Sequence, residues 1–546
     1  MSSPLAVNPD TRPLRTIDMT KLRNRITGPA TMAALAGVVA AAVVLAVAEL
    51  TGAFFTARAT PLFALGSTFI DFTPPALKDF AIATFGTNDK AALFVGMGLT
   101  IAVLACILGV VAYRKWALGV LGVLFMGAVI VASVVTRAGV GAADAIPSVL
   151  GTIAGLVVLR RLMVPLWGMK AWPEAPADTA ADGGEPVGSN GTSRRRFFAA
   201  AGFTALAAGI AATGGRVLAA ARSNVAKARE ALTLPSPAKA AAAVPAGVQS
   251  PVPGVTPWLT PNGEFYRIDT ALSVPEINVD DWELRIHGLV EQEVTLTFQD
   301  LLDAELIESH VTLTCVSNPV GGNLAGNAKW LGLPIREVLA RAKPKDGADM
   351  VLSTSIDGFS ASTPLEVLQD DRDAMLAIGM NGEPLPVEHG YPVRMVVPGL
   401  YGFVSATKWV VDLEVTRFAD SKAYWTERGW SERGPIKTMA RVDVPKSFAK
   451  VPAGIVAVGG TAWAQTRGIT KVEIQIDNGD WTEATLSTEA STVTWRQWSY
   501  EWDATPGPHY IKVRATDGTG EVQTDQRADP VPDGASGWQS VMVTVQ

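Results

Sequence analysis

Two cysteines occur in the 546 residues, and one of them sits where chemistry is possible. Cys315 closes an apolar stretch, His310-Val-Thr-Leu-Thr-Cys315, and opens a Gly/Asn-rich loop over 317–328. A thiolate at a strand end, beside a loop whose backbone can approach a ligand closely, is a nucleophile or a soft-metal ligand. Away from such surroundings a lone cysteine is a small buried apolar side chain. Two cysteines exclude a disulfide scaffold and any zinc or iron–sulfur site that needs several thiolates. The four histidines are His287, His310, His389 and His509, so nothing before His287 offers an imidazole ligand. His287 and His509 lie in strand-like contexts and read as structural.

The elements that must position Cys315 belong to an α+β pattern. Strands are expected near 283–289, 294–298, 310–315, 350–355, 393–398 and 408–416, with helices at about 298–304 and 333–341. No GxGxxG or Walker sequence interrupts them. From about 440, short alternating stretches dominate, such as KVEIQIDNG and HYIKVRATD, separated by turn residues. They read as a β-sandwich of immunoglobulin type. With no cysteine pair available, its core is expected to close on Trp463, Trp495 and Trp498.

Several strings around these elements occur together. They are Thr-Cys315-Val-Ser-Asn, then Ala-Lys-Trp330-Leu-Gly-Leu-Pro334, then Asn381-Gly-Glu-Pro-Leu-Pro386. Glu388-His389-Gly-Tyr-Pro-Val-Arg394-Met-Val-Val-Pro398-Gly, Tyr401-Gly402 and Thr407-Lys408-Trp409 follow. In this order they resemble the sulfite-oxidase family of molybdopterin enzymes, over about 257–435, and 436–546 is similar to that family's immunoglobulin-like dimerisation domain. The resemblance implies one Mo-molybdopterin, with Cys315 as the protein ligand to molybdenum and oxygen-atom transfer with two-electron redox as the chemistry. It also implies a cofactor site of Tyr266, Arg267, Thr354, His389, Arg394, Thr407 and Lys408, with Arg428 and Trp430 facing a small-molecule substrate. Each has a plainer reading. His389 alone is a turn histidine, Arg394 an ion-pair partner of local carboxylates, Lys408 a lysine stacked on Trp409, and Arg428 and Trp430 parts of a solvated loop. One departure matters. Sulfite-oxidising members follow the cysteine with a small residue, Asn and two arginines, whereas this chain has Val316-Ser317-Asn318-Pro319-Val320. Losing a charge-assisted hydrogen bond, worth roughly 1.5–3 kcal/mol, disfavours a sulfite dianion. A neutral or less charged acceptor such as a sulfoxide, or an organic substrate, stands as an alternative to sulfite, and the sequence does not give the direction of the reaction.

The other half of the chain has a different solvent. Residues 1–230 carry a formal charge of +9 and the remainder −15. Residues 29–50 are apolar and cover about 33 Å as a helix, enough for a bilayer core of ~30 Å. Further spans are expected at 91–113, 116–136 and 146–168, the last with Arg160 and Arg161 near its end to snorkel. Residues 51–90 read as an interfacial or re-entrant loop. Basic residues flank the spans at 12–25, at Arg114 and Lys115, and at Lys170 and 194–196, which puts all three stretches on the cytoplasmic side. Residues 171–192 read as a flexible cytoplasmic linker. Ser193-Arg194-Arg195-Arg196-Phe197-Phe198 then resembles an internal twin-arginine export signal, followed by a weakly apolar 197–221 read as a retained fifth span. That route carries folded proteins, so it implies a cofactor loaded before export. Residues 222–256 read as a Pro/Ala-rich linker.

The expectation is therefore a multi-pass cell-membrane protein with an α-helical membrane domain at 1–221 and extracytoplasmic α+β and immunoglobulin-like domains. The absence of histidine before 287 excludes a bis-histidine cytochrome in the membrane domain. Electrons then pass to a separate partner, a cytochrome or quinone. No nucleic-acid partner is expected, and the resemblance favours a homodimer. The rival readings are a non-catalytic cell-surface binding protein and a transporter-associated protein; a transporter would want ionisable residues inside its spans, and the first three have nearly none. Replacing Arg194 and Arg195 by Lys should strand the C-terminal half in the cytoplasm, as read by protease protection in spheroplasts; unchanged export would remove the signal.

Overall fold

A computed structural model of the chain describes residues 28–52, 54–55, 60–73, 77, 84, 89–136, 142–170, 189–223, 225–271 and 273–546. The basic flank at 12–25, most of 73–88 and most of the 171–192 linker lie outside the described residues. The chain divides into two compact units, Met1–Arg222 and Ser223–Gln546.

The first unit is helical: α1 Pro29–Gly52, α2 Pro61–Phe72, α3 Asp89–Arg114, α4 Trp116–Val135, α5 Ile146–Lys170 and α6 Ser189–Ser223. Five segments are long and apolar enough to cross a membrane, at 29–52, 92–114, 116–135, 142–168 and 195–214. They match the five expected spans to within a few residues at most ends. The 12-residue α2 falls short of a span, in keeping with the interrupted sequence around it. Small residues let the helices meet closely. A methyl on Gly37 would overlap the Ala105 carbonyl, and one on Gly109 the Ala33 carbonyl, so α1 and α3 touch backbone to backbone. On α6, Phe197 and Ala201 are buried with Met32, Leu159, Leu162, Met163 and Leu166. Arg160 and Arg161 are exposed.

The second unit opens with α7 Val225–Ala231 and then builds two sheets from β1 Glu283–Gly288, β2 Val294–Thr297, β3 Ile307–Thr314, β4 Ala325–Pro334, β5 Met350–Ser355, β6 Ser360–Pro364, β7 Met375–Met380, β8 Glu383–Pro384, β9 Arg394–Val396 and β10 Val410–Thr416. One sheet has the order β2-β1-β10-β5-β6, and the other has β3-β4-β7-β8 with β9 on β7. The pair β1–β10 is parallel and brings residues far apart in sequence side by side. Helix α8, Phe298–Leu302, starts at a capping box: the Thr297 hydroxyl accepts from Asp300 N while the Asp300 carboxylate accepts from Thr297 N. Helix α9, Ile335–Ala342, turns Ile335, Val338, Leu339 and Ala342 inward at helical spacing; α10, Leu365–Gln369, follows β6.

The C-terminal strands are β11 Met439–Val444, β12 Lys450–Val451, β13 Gly454–Trp463, β14 Ile469–Ile476, β15 Thr482–Glu483, β16 Thr485–Leu486, β17 Arg496–Ala504, β18 Gly507–Asp517 and β19 Gln539–Val545. They form sheets β11-β13-β17-β16 and β12-β19-β18-β14-β15. Val458, Val472, Trp498, Ile511, Val513 and Val543 fill the core between these two sheets. The expected tryptophans divide. Trp498 lies in this core with Trp502, but Trp463 and Trp495 belong to the core of the preceding α+β part. Trp495 Nε1 donates to Trp258 O at 2.9 Å, and its backbone N donates to Thr312 Oγ1 at 2.8 Å. These rings therefore join the sandwich to its neighbour.

The Pro/Ala-rich stretch read as a linker is docked over much of its length. Ala238 N donates to Leu306 O and Glu308 N to Lys239 O, both at 2.8 Å, while Thr488 N donates to Gly247 O at 2.9 Å. Its prolines form no core, but the backbone groups they leave free pair with the folded unit. Trp498→Ala should lower stability by about 3–5 kcal/mol, seen as a lower urea midpoint of the near-ultraviolet circular dichroism; an unchanged midpoint would deny Trp498 its place in the core.

Candidate active site

β3 carries Cys315 to the edge of its sheet, and the loop that follows closes on itself. Cys315 N donates to Leu324 O at 2.9 Å and Asn318 N donates to Cys315 O at 3.1 Å. Asn318 Oδ1 accepts from Leu324 N at 3.0 Å, and Gly322 N donates to Pro319 O at 2.8 Å. The Gly/Asn composition is explained by these turns: Gly321 has φ +76, and Asn318 crosses the loop with its side chain. Cys315 is 9% exposed, with Sγ 2.9 Å from Ser317 Oγ. Burial pushes the thiol's pKa up, and the Ser317 hydrogen bonds oppose that.

A second group of side chains converges from distant segments. Arg394, on β9, is buried, and its guanidinium donates only to carbonyls: Nη1 to His389 O at 3.1 Å, Nε to Met395 O at 3.3 Å and Nη2 to Ala406 O at 3.5 Å. It stands 5.0 Å from the centre of the Trp330 ring. Among the described residues it has no carboxylate partner, and burial lowers its pKa to about 10. Lys408 Nζ donates to Asp269 at 2.8 Å and to Glu388 O at 3.1 Å, and lies 4.5 Å from the Trp409 ring centre. Burial lowers its pKa to about 8, against the pull of Asp269. Arg267, partly exposed, shares Asp269 at 2.8 Å. His389 Nε2 is 3.1 Å from Asn262 O and the ring meets Phe265 edge-on. Burial first, then the charges of Arg394 and Lys408, lowers its pKa to about 4. Half-buried Tyr266 is held protonated by desolvation, reinforced by negative charge on Cys315. Gly402 lies between the two places: a Cβ there would stand 3.4 Å from Ala406, whose carbonyl accepts from Arg394, and 3.9 Å from Thr314 O, one residue before the thiol.

Thr407 is fully buried and bonds Ser353 at 2.7 Å. The expected Thr354, one residue on, alternates to the other face of β5 and is half-buried. Arg428 lies over the Tyr424 ring at 3.6 Å, with Nη1 donating to Tyr424 O at 2.7 Å. Trp430 packs at 6.0 Å from Trp425 and 5.8 Å from Phe403. These two expected substrate residues thus share an aromatic wall with Phe403. Near its start, Tyr401 has its pKa pushed up to about 12 by burial, with Asp533 and Cys315 adding to it. Sequence reasoning missed Asp269, Ser317, Ser353 and Tyr401. Only Asp269, two residues beyond Arg267, carried a signal.

The chemistry of this donor set fits an anionic, sulfur-binding cofactor. One carboxylate, Asp269, serves Lys408 and Arg267, while Arg394 is left with neutral partners. A buried guanidinium without counter-charge suits a phosphate, and a buried thiol on a closed loop suits a soft metal. Fold and site together define a molybdopterin-binding domain.

Residues 271–425 match the family model described as an oxidoreductase molybdopterin binding domain. Human mitochondrial sulfite oxidase is 27% identical over 317 residues, covering 49% of this chain and 58% of that protein. The uncharacterized oxidoreductase YuiH of Bacillus subtilis (strain 168) is 31% identical over 153 residues, covering 28% of this chain and 74% of that protein. Among solved structures, the sulfane dehydrogenase SoxCD of Paracoccus pantotrophus is 26% identical with a TM-score of 0.47, covering 52% of this chain and 81% of that chain. The chain spans little more than half the length of the mammalian sulfite oxidases it matches. It belongs to the sulfite-oxidase family of molybdopterin-dependent oxidoreductases, and its cofactor is Mo-molybdopterin.

His389 titrates at about 4 in the fold, against about 6.5 for a free histidine. Between these values the unfolded chain binds more protons, so stability falls as the pH is lowered through that window. In cofactor-free protein, His389→Gln should remove up to one proton of slope from the urea midpoint measured between pH 6.5 and about 4; an unchanged slope would place the titration elsewhere.

Proposed function

We propose that this chain is a membrane-anchored, extracytoplasmic oxidoreductase that moves an oxygen atom to or from a small organic molecule, with Cys315 as the protein ligand to molybdenum. The observation that carries the reading is one buried thiol, on a loop closed by its own hydrogen bonds, joined through the Gly402–Ala406 segment to a buried guanidinium that has no carboxylate partner among the described residues. When bound, the cofactor supplies two-electron oxygen-atom chemistry. The chain supplies its placement. Arg394 and Lys408 hold the phosphate, with Arg267 and Asp269 fixing the lysine's position. His389, neutral at ordinary pH, and Thr407, held by Ser353, serve the polar pterin. Tyr266 and Tyr401 stay protonated, so each offers an uncharged hydrogen-bond donor in the neighbourhood of the sulfur.

The substrate side favours a neutral molecule. Val316 and Val320 pack in the same apolar cluster as Phe403, Trp425 and Trp430. Where a sulfite-binding site needs guanidinium groups, this one has valine, proline and indole. Arg428, stacked on Tyr424, is the cation at this wall and would contact a polar oxygen of a sulfoxide or a related organic substrate.

Location and assembly belong to the same reading. Five apolar helices and the basic residues between them support a multi-pass anchor with a cytoplasmic N-terminus. Burial of Phe197 and Ala201 against α1 and α5 supports retention of the twin-arginine helix as the fifth span. The C-terminal sandwich is read as the immunoglobulin-like dimerisation domain, and a cytochrome or quinone as the separate electron partner.

Protein purified from a host that makes the cofactor should contain about one molybdenum per chain by elemental analysis, and Cys315→Ser should lose most of it, second-shell losses alone being 10–100-fold. Stoichiometric zinc, or full molybdenum retention without the thiol, would end this reading.

A further inference from the structure

Arg441, on β11 of the C-terminal sandwich, is buried and belongs to none of the groups above. Its Nε donates to Asp443 at 2.7 Å, a carboxylate that is itself 2% exposed. Nη2 donates to Thr256 Oγ1 at 3.1 Å, and Thr256 N returns a bond to the other Asp443 oxygen at 3.2 Å. The remaining arm, Nη1, donates to Gly322 O at 2.9 Å. Gly322 lies in the loop that begins at Cys315. One residue earlier, Gly321 rests against Gln539 of β19, where a Cβ would come within 2.6 Å of the carboxamide. Gln539 Oε1 in turn accepts from Val442 N at 2.6 Å. Two residues of the sandwich therefore hold adjacent glycines of the thiol loop.

From this geometry we infer that Arg441 is a positioning residue for Cys315, so that the sandwich forms part of the active-site wall. The inference rests on the reading of Cys315 as the metal ligand. The loop is a closed ring: Cys315 N bonds Leu324 O at one end, and Asn318 ties its middle to Leu324. A shift at Gly322 cannot be absorbed without moving Asn318 or Cys315. A guanidinium suits this task because its planar fork directs bonds to three fixed partners at once, which an ammonium cannot do. A metal ligand must be held to within about 0.5 Å, so a rigid support behind the loop matters to the sulfur's position. The same contacts explain the small residues here: Gly321 leaves room for Gln539, and a methyl on Gly322 would overlap the Asn318 carboxamide.

The test uses the full chain with Cys106→Ser, leaving Cys315 as the only thiol. In cofactor-free protein at one pH, Arg441→Met should raise the iodoacetamide alkylation rate of Cys315 about tenfold or more, with Arg441→Lys in between. Gln539→Ala, which releases the other contact, should also raise it and stands in if Arg441→Met fails to fold. In holoprotein, Arg441→Met should shift the sulfur-to-molybdenum charge-transfer absorption. Ile474→Ala thins the sandwich core without touching the loop and should leave the alkylation rate unchanged. A wild-type rate in folded Arg441→Met, or an equal rise in Ile474→Ala, would overturn the inference. Failure of metal ligation would show separately, as molybdenum retained in Cys315→Ser with the alkylation results intact.

Discussion

The catalytic part of this protein is organised around a positive charge that the fold buries without neutralising. Arg394 is offered three carbonyl oxygens and an indole face, and no carboxylate among the described residues. Carbonyls satisfy the N–H groups but leave the charge in place, so desolvation pulls the guanidinium's pKa down while it stays ionised. Its neighbours adjust to that charge. Lys408 is given Asp269, His389 is driven to its neutral form, and the Tyr266 phenol is kept protonated by burial against the pull of Arg394. An isolated pocket of this kind is unfavourable; filled by a phosphate, it has its missing counter-charge.

The two units apply the same apolar residues in opposite senses. In the helical unit Leu99, Leu121, Phe125 and Phe203 are exposed, while alanines and glycines such as Ala33, Ala36 and Gly37 occupy the contacts between helices. In the second unit the large side chains Trp282, Trp330, Trp409 and Trp498 are buried and the small ones line turns. Lipid removes the advantage of hiding a leucine and leaves close packing as the attraction between helices. Water restores it. Composition alone would call both units apolar; the direction in which the side chains face distinguishes their solvents.

What could be read from the sequence follows from how local each signal is. The apolar helices of the first unit, the helices near 298–304 and 333–341 and the alternating strands after 440 depend on neighbours within one or two turns, and they lie close to where periodicity puts them. His389, Arg394, Thr407 and Lys408 fall in one stretch of chain and meet in one place. Ser353, next to the expected Thr354, was not foreseen, because a strand turns its side chains over at every residue and the one that meets Thr407 lies on the opposite face. Trp463 and Trp495 were assigned to the wrong core for a related reason: alternation shows that a ring is buried, not which of two adjoining cores receives it. The contacts of Arg441 and Gln539 to the thiol loop gave no signal, because the groups they meet there, a carbonyl and a glycine, are far away in sequence.

Charge around the thiol is segregated, and that has a chemical consequence. On one side stand Arg394, Lys408 and Arg267, with Asp269 serving the last two. Near the sulfur, Tyr401 and Tyr266 are phenols kept protonated by burial, and Ser317 is a hydroxyl. Beyond them Val316, Val320, Phe403 and Trp430 share an apolar cluster. Under the proposed function, a group carrying full negative charge is drawn toward that cationic cluster, and an approaching substrate meets uncharged phenols and a hydroxyl, with Arg428 stacked on Tyr424 at the aromatic wall. Neutral donors still stabilise charge that develops during reaction, because they are fixed in place in a region of low polarity, yet they give a resting dianion little reason to stay. Under that reading, Pro319 and Val320, standing where sulfite-oxidising members have arginines, go with an approach to the sulfur that favours apolar contact over electrostatic capture.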